Sequence, residues 1–176
     1  MLLHYDETNS PIGRIQFFSD GEAVCALEFP GHEKQMRAAL QRRFGKFEVR
    51  RESDPLKLAV QLREYFAGNL HVFDATPVNA GGTPFQQRVW AALRTIPAGE
   101  TLSYGELAAS LGNPAACRAV GRANALNPVS IIVPCHRVIG ASSSLTGYGG
   151  GLERKQWLLR HEGALINDQL ALTADA

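Results

Sequence analysis

The stretch NPVSIIVPCHRVIG, residues 127–140, sets a cysteine and a histidine side by side directly after a proline. A thiol beside an imidazole supports two chemistries: a nucleophile with its base, or two ligands of a soft metal. A third reading is a small buried hydrophobe next to an unrelated ring. The apolar run Ile131-Ile132-Val133 predicts a buried strand ending at Pro134, after which the chain turns into the Gly/Ser-rich HRVIGASSSLTGYGGG. Loops of that composition approach ligands closely. Neighbours on an extended strand face opposite ways, so Cys135 and His136 make a poor chelating pair, and no CxxC or HxxxH element completes a ligand set. No metal is expected there. Thiol chemistry requires thiolate, and His136 is the obvious base, with a water carrying the proton because strand geometry disfavours direct contact. Glu162, in LLRHEG at the end of the last helix, is the candidate acceptor for the other ring nitrogen.

Several elements must position these groups. LLHYDET, GRIQFFS and AVCALEF read as strands separated by the turn-like NSPIG and SDGE. HEKQMRAALQRRFG has helical spacing at Met36, Leu40 and Phe44, with Gly45 as a stop. SDPLKLAVQLREYFAGN predicts a second helix, capped by Ser53 or Asp54, with Pro55 in the first turn and Leu58, Leu62 and Tyr65/Phe66 buried. This first part holds no chemical motif. TPVNAGGTPF (76–85) reads as a linker, and the helix of TPFQQRVWAALRTI follows, capped by Thr83 and burying Phe85, Val89, Trp90 and Leu93. Next, Ser103 caps a short helix ending at Gly112, and a second runs from about Pro114 to Leu126. Their proportions are those of a helix-turn-helix, a pattern shared with ordinary helical hairpins. In the second helix, AACRAVGRANA, Arg118 and Arg122 are the only long side chains. So slim a helix could dock closely on a core neighbour or enter a narrow groove, and the two arginines on adjacent turns favour the groove.

The bulk numbers bound the rest. The 176 residues, 45% apolar and 20% charged, describe a globular protein of one large or two small domains. No apolar run nears the roughly 20 residues of a membrane helix. MLLHYDETNSPIG is not a secretory signal, and three cysteines are too few for a disulfide framework, which points to the reducing cytoplasm. The net charge of +1 hides a segregation: residues 80–165 carry eight Lys and Arg against four Asp and Glu. A basic half is what a polyanion partner requires.

IVPCHRVIG, the TLSYGELA…NPAACRAVG…N helix pair, TGYGGG and KQWLLRHEG together resemble the O6-alkylguanine-DNA alkyltransferases, over about residues 83–163. The first half matches in length, strand-then-helix order and the phrase REYFAGNL. The resemblance implies an α+β protein: a ribonuclease H-like α/β domain (1–79), a mostly helical, winged-helix-like domain with the helix-turn-helix (80–166), and a tail (167–176). It implies direct-reversal DNA repair, in which Cys135 irreversibly takes an alkyl group from guanine O6, or from O4 of alkylthymine, once per molecule. By the same similarity His136 and Glu162 are the water-mediated base and its carboxylate, and Asn127 braces the active-site turn. Arg118 fills the gap left by the flipped nucleotide, Tyr104 helps turn the base out, and Ala119, Arg122 and Ala123 join them as DNA contacts. Tyr104, Val138, Tyr148, Gly149 and Ser130 line the base pocket. A monomer without cofactor, acting on double-stranded DNA through the minor groove and without a membrane partner, is implied. Gly149 stands where many relatives have Ser or Ala, and Ser130 where some have Pro. Cys25, His4, His32 and His71 are the only candidates for the zinc that some relatives bind in the first domain. A damage-binding module without chemistry and a Cys-His hydrolase are the competing readings; the intact Cys135-His136-Glu162 set opposes the first, and the lack of an oxyanion-hole sequence opposes the second.

Overall fold

Alternation of period two in the first thirty residues builds a twisted antiparallel hairpin, to which a third strand adds. In the computed structural model, which describes residues 1–141 and 144–164, β1 (Leu2–Ser10) pairs with β2 (Gly13–Ser19), and β2 with β3 (Val24–Glu28). The chain then crosses through α1 (Glu33–Phe44) and returns as β4 (Glu48–Arg51), parallel to β1, giving the order β3-β2-β1-β4. β4 escaped the pattern reading because all four of its side chains are exposed, and EVRR shows no alternation. Backbone pairing alone makes it a strand. Met36 and Leu40 of α1 bury against Leu3, Cys25 and Ala26 of the sheet. α2 (Leu58–Phe66) buries Leu58, Ala59, Leu62 and Tyr65. Asp54, of the two cap candidates, supplies the carboxylate that accepts from the amides of Ala59 and Val60. A cleft of about 610 Å³ beside β1, β4 and α1, lined by Met1, Arg37, Gln41 and Phe47 among others, contains none of the expected site residues.

This first unit comprises Met1–Gly82 together with Pro128–Ile132. The short segment lies along the edge of β3: Leu27 N–H donates to Pro128 O (2.9 Å), Ser130 N–H donates to Leu27 O (3.0 Å), and Val129 bridges Leu27 in parallel.

The second unit is Thr83–Asn127 with the chain from Val133. α3 (Pro84–Leu93) starts on a reciprocal cap in which Thr83 and Gln86 exchange backbone and side-chain bonds. Val89, Trp90 and Leu93 are buried as expected, while Phe85 is only half-buried. α4 (Tyr104–Ser110) has the same device in Ser103 and Glu106. A turn through Gly112 and a 3₁₀ turn, Pro114–Ala116, lead into α5 (Cys117–Ala125), so the second helix begins three residues later than its sequence suggests. Two-residue strands β5 (Leu102–Ser103) and β6 (Val138–Ile139) pair in parallel, and α6 (Leu152–His161) ends at Glu162. The protein is therefore mixed α+β, with a sheet-based first unit and a mostly helical second one. The tail 167–176 lies outside the described residues.

Candidate active site

Val120 and Asn124 on the buried face of α5 bring the chain to Asn127, and from there to Cys135 it makes two tight reversals. Ile132 N–H bonds Ser130 O (2.9 Å) around Ile131, whose φ is 70°. A β-branched residue in that left-handed region costs about 1–2 kcal/mol. Cys135 N–H then bonds Val133 O (2.8 Å) around Pro134 (φ −81°, ψ 65°), the geometry of an inverse γ-turn. The strand expected over Ile131–Val133 is therefore absent. The run is apolar because it is buried, but a positive φ cannot continue a ladder and only Val129 pairs. Cys135 and His136 lie in a 3₁₀ turn, Cys135–Arg137, instead of on opposite faces of a strand.

Within that turn the expected groups converge. Asn127 Nδ2 donates to Val133 O (2.8 Å) and to Cys135 Sγ (3.1 Å), bracing the turn and touching the sulfur with one side chain. His136 is fully buried; its Nε2 meets Glu162 Oε1 at 2.9 Å, and its Nδ1 is buried without a protein hydrogen-bond partner. Burial holds the imidazole below its ordinary range, so the ring is neutral. Burial by itself would raise the Glu162 carboxyl, but the adjoining His136 ring and Arg137 guanidinium overcome it and hold the group well below the usual carboxylate range. The tautomer follows from this bonding: Nε2–H donates to ionised Glu162, and the Nδ1 lone pair is left as an acceptor.

Three participants escaped the sequence reading. Arg137 clamps Glu162 through two bonds (Nε to Oε2 2.8 Å, Nη2 to Oε1 2.9 Å) and donates a third to Ile96 O. Asn124 Nδ2 donates to Cys135 O (3.3 Å). Lys155 is fully buried, and its Nζ donates to the carbonyls of Val138 (2.6 Å) and Thr146 (2.8 Å). Burial pulls its ammonium down to about 8, opposed by the nearby Cys135. A signal for Lys155 existed: it stands three, four and seven residues before Leu158, Leu159 and Glu162, on the buried stripe of α6. Gly99 is required by the same site, since a Cβ there would come within 2.9 Å of Glu162 O while φ is 84°.

The pocket candidates surround this centre in part. Val138 is buried, and the half-buried Tyr148 sets its ring edge-on to His136, with centroids 6.5 Å apart. Tyr104 donates its hydroxyl to Thr146 O (3.3 Å), the carbonyl that Lys155 also binds, and Gly149 is exposed. Ser130 is buried in the first unit, with its hydroxyl donating to Glu28 Oε1 (3.3 Å). On α5, Arg118, Ala119 and Arg122 are exposed. Ala123 is 2% exposed and its carbonyl accepts from Trp90 Nε1 (2.9 Å), so it packs on α3. Among the described residues no group of three or more His, Cys, Asp or Glu side chains converges as a metal site, and no helix is long and apolar enough to cross a membrane.

Residues 3–80 match the family model of the 6-O-methylguanine DNA methyltransferase ribonuclease-like domain, and residues 84–164 that of the same proteins' DNA binding domain. The methylated-DNA--protein-cysteine methyltransferase of Shigella flexneri is 48% identical over 160 residues, 89% of this chain and 94% of that protein. The protein of the same name from Mycobacterium bovis is 48% identical over 174 residues, 97% of this chain and 99% of its own. Among solved structures, Mycobacterium tuberculosis OGT in complex with DNA superposes with a TM-score of 0.75 at 46% identity, covering 91% of this chain and 92% of that one. The Pyrococcus kodakaraensis O6-methylguanine-DNA methyltransferase gives 0.68 at 28% identity, covering 92% and 99%.

Proposed function

The chain belongs to the 6-O-methylguanine DNA methyltransferase family, and from that premise we propose that it repairs DNA by moving an alkyl group from guanine O6 onto Cys135 Sγ, with O4-alkylthymine as a second substrate. The observation that carries this reading is a buried thiol with the Asn127 amide donated to it at 3.1 Å, adjoining a buried His136 whose Nε2 meets a Glu162 carboxylate oxygen at 2.9 Å.

The target oxygen lies inside a stacked duplex, so the nucleotide must leave the helix before sulfur can reach it. The slim α5, with Ala119 and Arg122 on its exposed face, enters the minor groove; Arg118 occupies the vacated stack, and Tyr104 helps turn the base out. Val138, Tyr148 and Gly149 receive it. The Cys135 proton passes through a water to His136 Nδ1, and Asn127 offers its N–H to the sulfur anion. Sulfur attacks the alkyl carbon: the S–C bond forms, the C–O6 bond breaks, and its electron pair goes into the guanine ring. The imidazolium returns its proton through water to the departing base, which leaves as ordinary guanine. Glu162 stays ionised throughout. The product is a thioether, which water does not cleave, so each monomer acts once, in the cytoplasm where its DNA substrate is.

Mixing the protein with a short duplex that holds one O6-methylguanine, followed by digestion and mass measurement, tests this. The peptide containing Cys135 should gain one methyl group, and Cys135→Ser should gain none while binding DNA within about a few-fold of the parent. Methyl on the Ser variant, or on another residue of the parent, would overturn the assignment.

A further inference from the structure

Glu28, the last residue of β3, is a carboxylate that the transfer chemistry does not use. No cation lies within ion-pairing distance of it among the described residues, and burial pushes it up to about 7, opposed by bonds from Ser130 and the Phe29 amide. A half-buried carboxyl, desolvated and without a counter-charge, is a poor choice for packing alone. Its oxygen instead accepts the hydroxyl of Ser130, whose backbone N–H is already held by Leu27 O. Both bonds that Ser130 donates therefore run to consecutive residues of β3. The next residue is Ile131, in a backbone conformation that a β-branched side chain resists, and four residues further on is Cys135.

We propose that Glu28 is a positioning residue for alkyl transfer, holding through Ser130 the strained turn that presents Cys135. This rests on Cys135 being the acceptor. Without the Glu28 bond, Ser130 keeps only its backbone anchor, Ile131 can relax toward negative φ, and the chain between Ser130 and Cys135 changes direction. The Asn127 bond to sulfur depends on that direction.

The test is the rate of alkyl transfer from the free base O6-benzylguanine, which takes DNA binding out of the measurement, with the final extent of Cys135 labelling read by mass. Glu28→Ala and Ser130→Ala should each slow transfer about ten-fold while still reaching one alkyl group per chain. The double variant should be no slower than the slower single one. Glu28→Gln, whose amide oxygen still accepts from Ser130, should stay within about two-fold of the parent. A parental rate in Glu28→Ala or Ser130→Ala, or single effects that multiply in the double variant, would overturn the proposal. So would Glu28→Gln as slow as Glu28→Ala. Absence of label on Cys135 of the parent itself would instead overturn the acceptor assignment. Should Glu28→Ala fail to fold, Ser130→Ala and Glu28→Gln decide by the same criteria.

Discussion

Arg137 determines whether Glu162 can serve His136. The carboxylate is buried, and its two oxygens are shared between one imidazole and the guanidinium fork. Removing one partner of a buried pair leaves a charge uncompensated and costs about 3–5 kcal/mol. Arg137→Met should lose stability of that order in urea unfolding, and Arg137→Lys should also lose, since an ammonium cannot reproduce the two-bond geometry. A midpoint unchanged in both would remove Arg137 from this role. Lys155 yields a prediction in pH. With its ammonium lowered to about 8 from an ordinary 10.5, the unfolded chain holds a proton between those values that the folded protein has lost. Stability therefore rises with pH across that window, while below about 8 both states are protonated and the group's cost stands in full. The unfolding free energy of the parent, minus that of Lys155→Met, should climb by about 1–3 kcal/mol from pH 7.5 to 10. A flat difference would mean that the two carbonyls satisfy the ammonium completely.

At the scale of elements, α5 divides its labour between faces. Val120, Ala123 and Asn124 pack inward, where the Ala123 carbonyl binds Trp90 and Asn124 reaches the Cys135 carbonyl. Arg118, Ala119 and Arg122 face solvent. One helix thus carries both a bond to the sulfur-bearing turn and the exposed face proposed to meet DNA. Extruding a nucleotide costs roughly a few kcal/mol, which a free base does not incur. Arg118→Ala should consequently slow repair of duplex DNA by at least about ten-fold and leave transfer from O6-benzylguanine near the parental rate. Equal losses on both substrates would make Arg118 a structural residue of the helix.

For the whole molecule, the reaction is also a perturbation of packing. Cys135 is 5% exposed, with Asn127 on its sulfur, so an added alkyl group enters filled space. Overpacking typically costs about 1–3 kcal/mol, and the transfer also turns the thiol that the Asn127 donor faces into a thioether. The alkylated protein should melt several degrees below the free one, and the benzylated form lower still. A melting temperature level or rising with alkyl size would show spare room, for which the small residue Gly149 is the obvious source.

What the sequence by itself determined was local. The caps at Thr83 and Ser103, the stripes of α1, α2 and α3, and the adjacency of Cys135 and His136 follow from residue type and spacing, because each depends on neighbours a few positions away. Glu162 was legible as the carboxylate at the end of the last helix, and Asn127 through a family resemblance. The rest was decided by tertiary structure. β4 carries no apolar pattern and exists because β1 offers it an unpaired edge. The run Ile131–Val133 reads as a strand, yet the bonds of Pro128 and Ser130 to β3 and of Asn127 to Val133 fold it into two tight reversals. Arg137, Asn124, Lys155 and Glu28 look like ordinary polar residues along the chain. Each acquires its role only where partners 9 to 102 residues distant supply the opposing atom, because a buried polar group must find its hydrogen bond wherever the fold places one.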